Sequence, residues 1–148
     1  MTTTITECNM KRKYINRDPC VITIDGEPAS KANSRRLVYI KGRAVFIKSK
    51  KVLSYKKAFE LQCPTRKDLY KKGQDLVVAM KIFYKTRRPD LDESLILDLL
   101  EGLVYENDRQ VKMKYIEWGL DKERPRTHIV ISTIDNKEKV IETLLDNI

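Results

Sequence analysis

The sequence predicts an α/β (α+β) fold: a single small domain on a mixed β-sheet, with a basic β-hairpin and about three helices. Three observations carry this expectation. Asp75–Lys85 (DLVVAMKIFYK) is almost continuously apolar at its start, the pattern of a central strand covered on both faces. Leu91–Leu103 and Lys137–Leu145 each carry apolar residues at helical spacing on one stripe. Shorter β-branched runs lie between these segments, so the element order reads β, β-hairpin, α, β, α, β, β, α. At 148 residues the chain has the length of one domain, and no internal repeat or interdomain linker interrupts it.

Residues 1–19 are Thr-rich and then basic (Lys11, Arg12, Lys13, Arg17), without an apolar period, and read as a flexible basic arm before a domain over 20–148. Cys20–Asp25 (CVITID) has strand composition and is stopped by Gly26-Glu27-Pro28. Ala29–Arg36 is a polar, basic loop. Leu37–Ile47 (LVYIKGRAVFI) is a hairpin about Lys41-Gly42-Arg43, with Arg43 expected at its exposed tip. Ser49–Cys63 has a helical apolar period through Val52, Tyr55 and Phe59 that Pro64 ends, with Lys50 and Lys51 near its start.

After the central strand, Pro89 disfavours helical geometry at Arg88, and Asp90 can then cap a helix over Leu91–Leu103. The stripe of that helix is Leu95, Ile96, Leu99, Leu100 and Leu103. Val111–Trp118 (VKMKYIEW) alternates as a half-buried strand, with Val111, Met113 and Tyr115 on one side and Ile116 and Trp118 on the other. Arg126–Ile134 is a further strand, within which His128 reads as structural. Asn136 can cap the last helix, Lys137–Leu145.

Charge is divided unevenly. Residues 1–57 hold fourteen Lys/Arg against four Asp/Glu, whereas the remainder holds sixteen against seventeen. A half this basic favours a polyanionic partner, because each phosphate neutralised releases condensed counterions. The cations that would track phosphate are Lys31, Arg35, Arg36, Arg43, Lys48, Lys50 and Lys51, joined by Arg87, Arg88 and Arg109 around the acidic segment; a merely solubilising basic surface is the alternative reading of the same charge. Three widely spaced cysteines without a CxxC pattern indicate neither a disulfide framework nor a zinc site, and point to a reducing cytoplasm. No apolar run is long enough to span a bilayer, so no membrane partner is expected.

Within this basic chain, Arg87–Arg109 gathers seven acids against three arginines. Asp90 and Asp92 follow a strand and start a helix, where short carboxylates are rigidly held beside solvent. Such oxygens suit a hard cation that keeps coordination sites for phosphate. The same residues also admit a purely structural reading: Asp90-Leu-Asp-Glu93 matches a capping box, and acids favour a helix start. Asp108, in Tyr105-Glu-Asn-Asp-Arg-Gln110, reads locally as a loop residue before a strand.

RRPDLDES, then GLVYENDRQV, then PRTHIVIS, together with the earlier GEPASKANSRR and GRAVFIKS, resemble the RusA family of Holliday junction resolvases, particularly phage-type members. The similarity runs from about Val21 to Thr133. The resemblance implies a RusA-like nuclease domain, a homodimer that cuts four-way DNA junctions by paired nicks and requires Mg²⁺, with Mn²⁺ as an alternative. It also implies a location in the cytoplasm, that of the host cell if the chain is virus-encoded. The family's catalytic, metal-binding aspartates fall on Asp90, Asp92 and Asp108. Glu93 and Ile96 stand where classical members carry Asn and a functional Lys, so positive charge at the site would come from Arg87, Arg88 or Arg109. A helix of about twelve residues is about 18 Å long, which puts Asp90 and Asp108 at opposite ends. Either residues 104–107 return the chain, or a symmetric partner supplies Asp108. The alternatives are a non-catalytic junction-binding protein and a nuclease for other branched nucleic acids.

Overall fold

A computed structural model describes residues 19–30, 35–65 and 69–146. The expected basic arm over 1–18 and the candidate Lys31 lie outside the described residues, as does the side chain of Arg35. The strands are β1 (Cys20–Asp25), β2 (Arg35–Ile40), β3 (Arg43–Lys48), β4 (Leu76–Tyr84), β5 (Val111–Leu120) and β6 (Arg126–Thr133). The helices are α1 (Lys50–Gln62), α2 (Ser94–Leu100) and α3 (Lys137–Asp146). A mixed sheet of order β1-β6-β4-β5 forms the scaffold, and β2 and β3 form a separate two-stranded sheet. This is the mixed α+β domain that the sequence predicts.

β4 is central, as its apolar run requires. It pairs antiparallel with β6 and parallel with β5. Its alternate side chains serve two cores. Leu76, Val78, Met80, Ile82 and Tyr84 pack with Tyr55 and Phe59 of α1 and Ile96 and Leu100 of α2. Val77 and Ala79 face the other way, onto Val140 and Leu144 of α3. The sheet is thus covered by α1 and α2 on one face and by α3 on the other, and burying both faces gives a small domain enough core.

Three local expectations change. α2 is seven residues long, Ser94–Leu100, and not the span Leu91–Leu103. Asp90 does not cap it, because Asp92 Oδ1 accepts the Ser94 N–H at 3.0 Å and holds the chain non-helical up to that point. The predicted capping box is also absent: the helix begins after Glu93 with no side-chain cap, and Glu93 pairs instead with Lys114 at 2.9 Å. At the other end Gly102 takes a φ of +85° and a tight turn brings Tyr105 back beside Glu101.

On β5, the pairing slips between Leu76 and Val77, whose partners are Val111 and Met113. This bulge reverses the side-chain alternation, so Val111 joins Ile116 and Trp118 on the α2 face while Met113 and Tyr115 face α3. In the hairpin, Lys41 and Gly42 form the two-residue turn, with φ of +50° and +77°. Arg43 is therefore not the tip; it opens β3 opposite Ile40.

Candidate active site

The segment carrying Asp90 and Asp92 is pinned from three sides. Trp118 Nε1 donates to the Pro89 carbonyl at 3.1 Å, and the Trp118 ring stacks on Tyr84 at 5.9 Å and 24°. The Asp92 N–H donates to the Tyr84 hydroxyl at 3.2 Å. The Asp92 carboxylate in turn accepts from Ser94. Backbone outside helix and strand has no ladder of its own, so these bonds give it a fixed course.

Asp90 and Asp92 line one open cleft of about 440 Å³ with Glu27, Lys51, Tyr84 and Arg88. Local sequence does not single out Glu27, because Gly26-Glu27-Pro28 signals only a turn. Its Oε2 accepts the Lys85 N–H at 3.0 Å and its Oε1 meets Lys51 Nζ at 3.4 Å. Glu27 thereby joins the end of β1 to the end of β4 and holds an ammonium beside the two aspartates. The Tyr84 hydroxyl is pushed up, first by burial and then by the nearby carboxylates of Asp92, Glu27 and Glu93, against the lowering effect of the Asp92 N–H. It therefore stays protonated at neutral pH.

Asp108 is positioned differently. It begins a 3-10 turn, Asp108–Gln110, in which Asn107 and Gln110 form a reciprocal capping box. The buried Gln110 amide also donates to the Lys71 and Gln74 carbonyls at 3.0 and 3.1 Å. Two residues of ENDRQ are therefore scaffold, and they leave Asp108 and Arg109 exposed. Asp108 acts on Tyr105: burial first, and then the charges of Asp108, Glu101 and Asp98, push that phenol up. Tyr105 donates to the Leu97 carbonyl at 2.8 Å.

The topology keeps Asp108 from Asp90 and Asp92 within one protomer. In a parallel β4-α2-β5 crossover, the chain leaves at the carboxyl end of one strand and re-enters at the amino end of its neighbour. Asp92 is bonded to Tyr84, the last residue of β4, while Asp108 precedes Val111, which pairs with Leu76, the first. Those ends are separated by the length of the strand, about 26 Å at about 3.3 Å per residue. Among the described residues no group of three or more His, Cys, Asp or Glu is placed to hold a metal ion.

The candidate cations fall into three places. Lys51 and Arg88 line the aspartate cleft. Arg109 lies at the other end of the sheet, in a cleft with Lys72 and Lys112. Arg36, Arg43, Lys48 and Lys50 are exposed along the hairpin and the start of α1, and Arg87 is exposed beside the cleft. Ile96 is fully buried in the core, so a residue there faces the sheet rather than the cleft. His128 is structural in its contacts, with Arg126 Nε donating to its Nε2 at 3.2 Å and Thr23 Oγ1 at 3.1 Å from its Nδ1. No helix of the described residues is long and apolar enough to cross a membrane.

Comparison with curated proteins gives no match. The family model described as endodeoxyribonuclease RusA matches residues 25–132, from the end of β1 into β6, and so takes in Asp90, Asp92 and Asp108. By that match over most of its length, the chain belongs to the RusA endodeoxyribonuclease family.

Proposed function

We propose that this chain is an Mg²⁺-dependent endodeoxyribonuclease that resolves four-way DNA junctions by paired nicks. It acts as a homodimer in which Asp90 and Asp92 of one subunit work with Asp108 of the other. The observation that carries the reading is the cleft itself, where two aspartates at a strand end share one opening with Lys51 and Arg88. Family membership supplies the reaction class.

The donor set suits a hard cation: Asp90 and Asp92 offer only oxygen, and Mg²⁺ takes one or two carboxylates, completing its shell with water and phosphate oxygens. Bound there, Mg²⁺ would polarise the phosphodiester and favour hydroxide over water. Asp92 is fixed for this role by the Ser94 N–H and by the tether of its own N–H to Tyr84. Lys51 and Arg88 supply the positive charge that the family lysine gives elsewhere and would hold the scissile phosphate against the aspartates. Glu27 sets the position of Lys51 through its ion pair and its bond from Lys85. In the hydrolysis, the oxygen of a water bonds to phosphorus while the bond from phosphorus to one nucleotide oxygen breaks, and a proton of that water ends on the leaving oxygen. Two such sites related by a dimer axis match a substrate cut on two symmetry-related strands. The cytoplasm is where this chain would meet such DNA.

A second reading, a non-catalytic junction-binding protein, is favoured by one observation: the three aspartates do not cluster within the protomer. One experiment separates the two. Labelled four-way junction is incubated with the protein in Mg²⁺ and in excess chelator. Paired nicks in Mg²⁺ alone support the nuclease, and binding without nicks under both conditions supports the second reading. Cleavage of flaps or RNA in preference to the junction would reassign the substrate.

A further inference from the structure

The hairpin β2-β3 leaves its largest apolar side chains in solvent: Tyr39 is 73% and Phe46 68% exposed. The strand register explains their arrangement. Leu37 lies opposite Phe46 and Tyr39 opposite Ala44, so Leu37, Tyr39 and Phe46 share one face, with the two aromatics as diagonal neighbours. Neither β2 nor β3 is bonded to the main sheet. The two-residue turn at Lys41-Gly42, with both φ values positive, is of the kind that locks a hairpin's twist and register. A preorganised pair of aromatic rings therefore stands out from the domain.

Exposed aromatics of this size on a separate arm mark a binding surface. Its charge identifies the partner. Between Glu27 and Glu60 the sequence has ten Lys/Arg and no carboxylate, and the hairpin itself carries Arg36, Lys41, Arg43 and Lys48. Aromatic rings interleaved with cations and free of acids are the composition that holds single-stranded or splayed nucleic acid, with phosphates on the cations and bases on the rings. The placement agrees, because β3 ends at Lys48, three residues before Lys51 in the aspartate cleft.

We infer that the hairpin is a base-stacking wedge: Tyr39 and Phe46 take unpaired or branch-exposed bases of the DNA whose backbone reaches the aspartate cleft. This rests on the DNA-binding part of the proposed function and adds to it a means of telling branched from fully paired DNA. Every base has a π face, so such recognition is of structure and not of sequence.

The test uses the full chain and its Y39L/F46L variant, which keeps both side chains apolar but removes the rings. Junctions carry 2-aminopurine at the branch point. The wild type should change the probe's fluorescence on binding. The variant should lose that change and bind the junction about tenfold more weakly per base lost. Its affinity for fully paired duplex and the salt dependence of binding should stay as they were. Phe46→Tyr should behave as wild type. Equal weakening on duplex and junction would overturn the inference, as would an unchanged probe signal. A variant that becomes monomeric in sedimentation would instead make the face a contact between copies, and preferential loss of binding to phosphatidylserine vesicles would make it a membrane contact. A wild type that binds no junction at all defeats the proposed function. A wild type that binds and cleaves, paired with an unaltered variant, defeats the wedge alone.

Discussion

The indole Nε1 of Trp118 donates to the carbonyl of Pro89 at 3.1 Å, tying the edge strand β5 to the segment that carries Asp90 and Asp92. A bond so close to the two aspartates of the proposed site can matter more for precision than for stability. Trp118→Phe keeps a ring to stack on Tyr84 and removes only the donor. A lost neutral hydrogen bond costs about 1 kcal/mol, so the urea midpoint should fall modestly. Small displacements of reacting groups can cost far more in rate. Single-turnover cleavage should fall about tenfold, with junction affinity unchanged. A rate that merely follows the loss of folded protein would remove Trp118 from any positioning role.

Residues of ENDRQ should separate cleanly by denaturation. Gln110 is 5% exposed and its amide bonds two carbonyls of the 71–74 loop. Gln110→Ala strips those carbonyls of their donor and should cost about 2 kcal/mol or more. Asp108 is exposed. Asp108→Ala should leave stability within about 0.5 kcal/mol while abolishing cleavage. Equal destabilisation by the two variants would show that Asp108 belongs to the scaffold as well.

His128 sets a pH dependence of folding. Burial first, then the guanidinium groups of Arg126 and Arg124, hold it below the usual histidine range. Between that depressed value and the ordinary histidine pKa of about 6.5, the unfolded chain binds more protons than the native one. Stability is therefore fully present above about pH 6.5 and is lost as pH falls through the folded value. The chain contains one histidine, so no other imidazole shares this window. Urea midpoints should decline from pH 7 to pH 5 in the wild type and change less in His128→Gln. Parallel curves would refute the assignment.

These residues also show what the sequence can and cannot disclose. Strands β1 and β4, and the stripe of α2, are written in local periodicity, because burial of one or both faces imposes it directly. The start of α2 is not, since it depends on Tyr84 taking the Asp92 N–H from eight residues away. Asn107 and Gln110 look like loop residues until Lys71 and Gln74 are seen to receive the glutamine amide. The β5 bulge is equally silent, because a slip of pairing leaves the alternation of the sequence intact. Helix length alone suggests that Asp90 and Asp108 are apart. The stronger reason, parallel pairing of β4 with β5, is a non-local fact that no spacing encodes.

Lys51 is the cation that the cleft makes most testable. Its Nζ lies 3.4 Å from Glu27 Oε1, while Glu27 keeps its second oxygen on the Lys85 N–H. Lys51→Met preserves the stem and should leave the fold intact, since an exposed pair contributes little to stability. Cleavage should drop by about tenfold or more, as when one charge-stabilising group is lost. The salt dependence of junction binding should lessen by about one phosphate contact, and Lys51→Arg should restore most activity. A Lys51→Met enzyme with wild-type rate would hand the role to Arg88.

Subunit mixing tests whether the two ends of the sheet meet across a dimer. Asp92→Asn and Asp108→Asn proteins should each be inactive alone. If Asp108 serves the partner's aspartates, a heterodimer of the two holds one site with both substitutions and one with neither. Mixing after exchange of subunits should then recover activity, as single nicks rather than paired ones, at about a quarter of the wild-type sites when half of the dimers are mixed. If each protomer completes its own site, every site in the mixture carries a substitution and no activity returns. The parallel crossover, which sets Tyr84 and Leu76 at opposite ends of β4, favours recovery. Persistent inactivity in a mixture shown to exchange subunits would require the loop around Asp108 to move toward Asp92 when DNA binds.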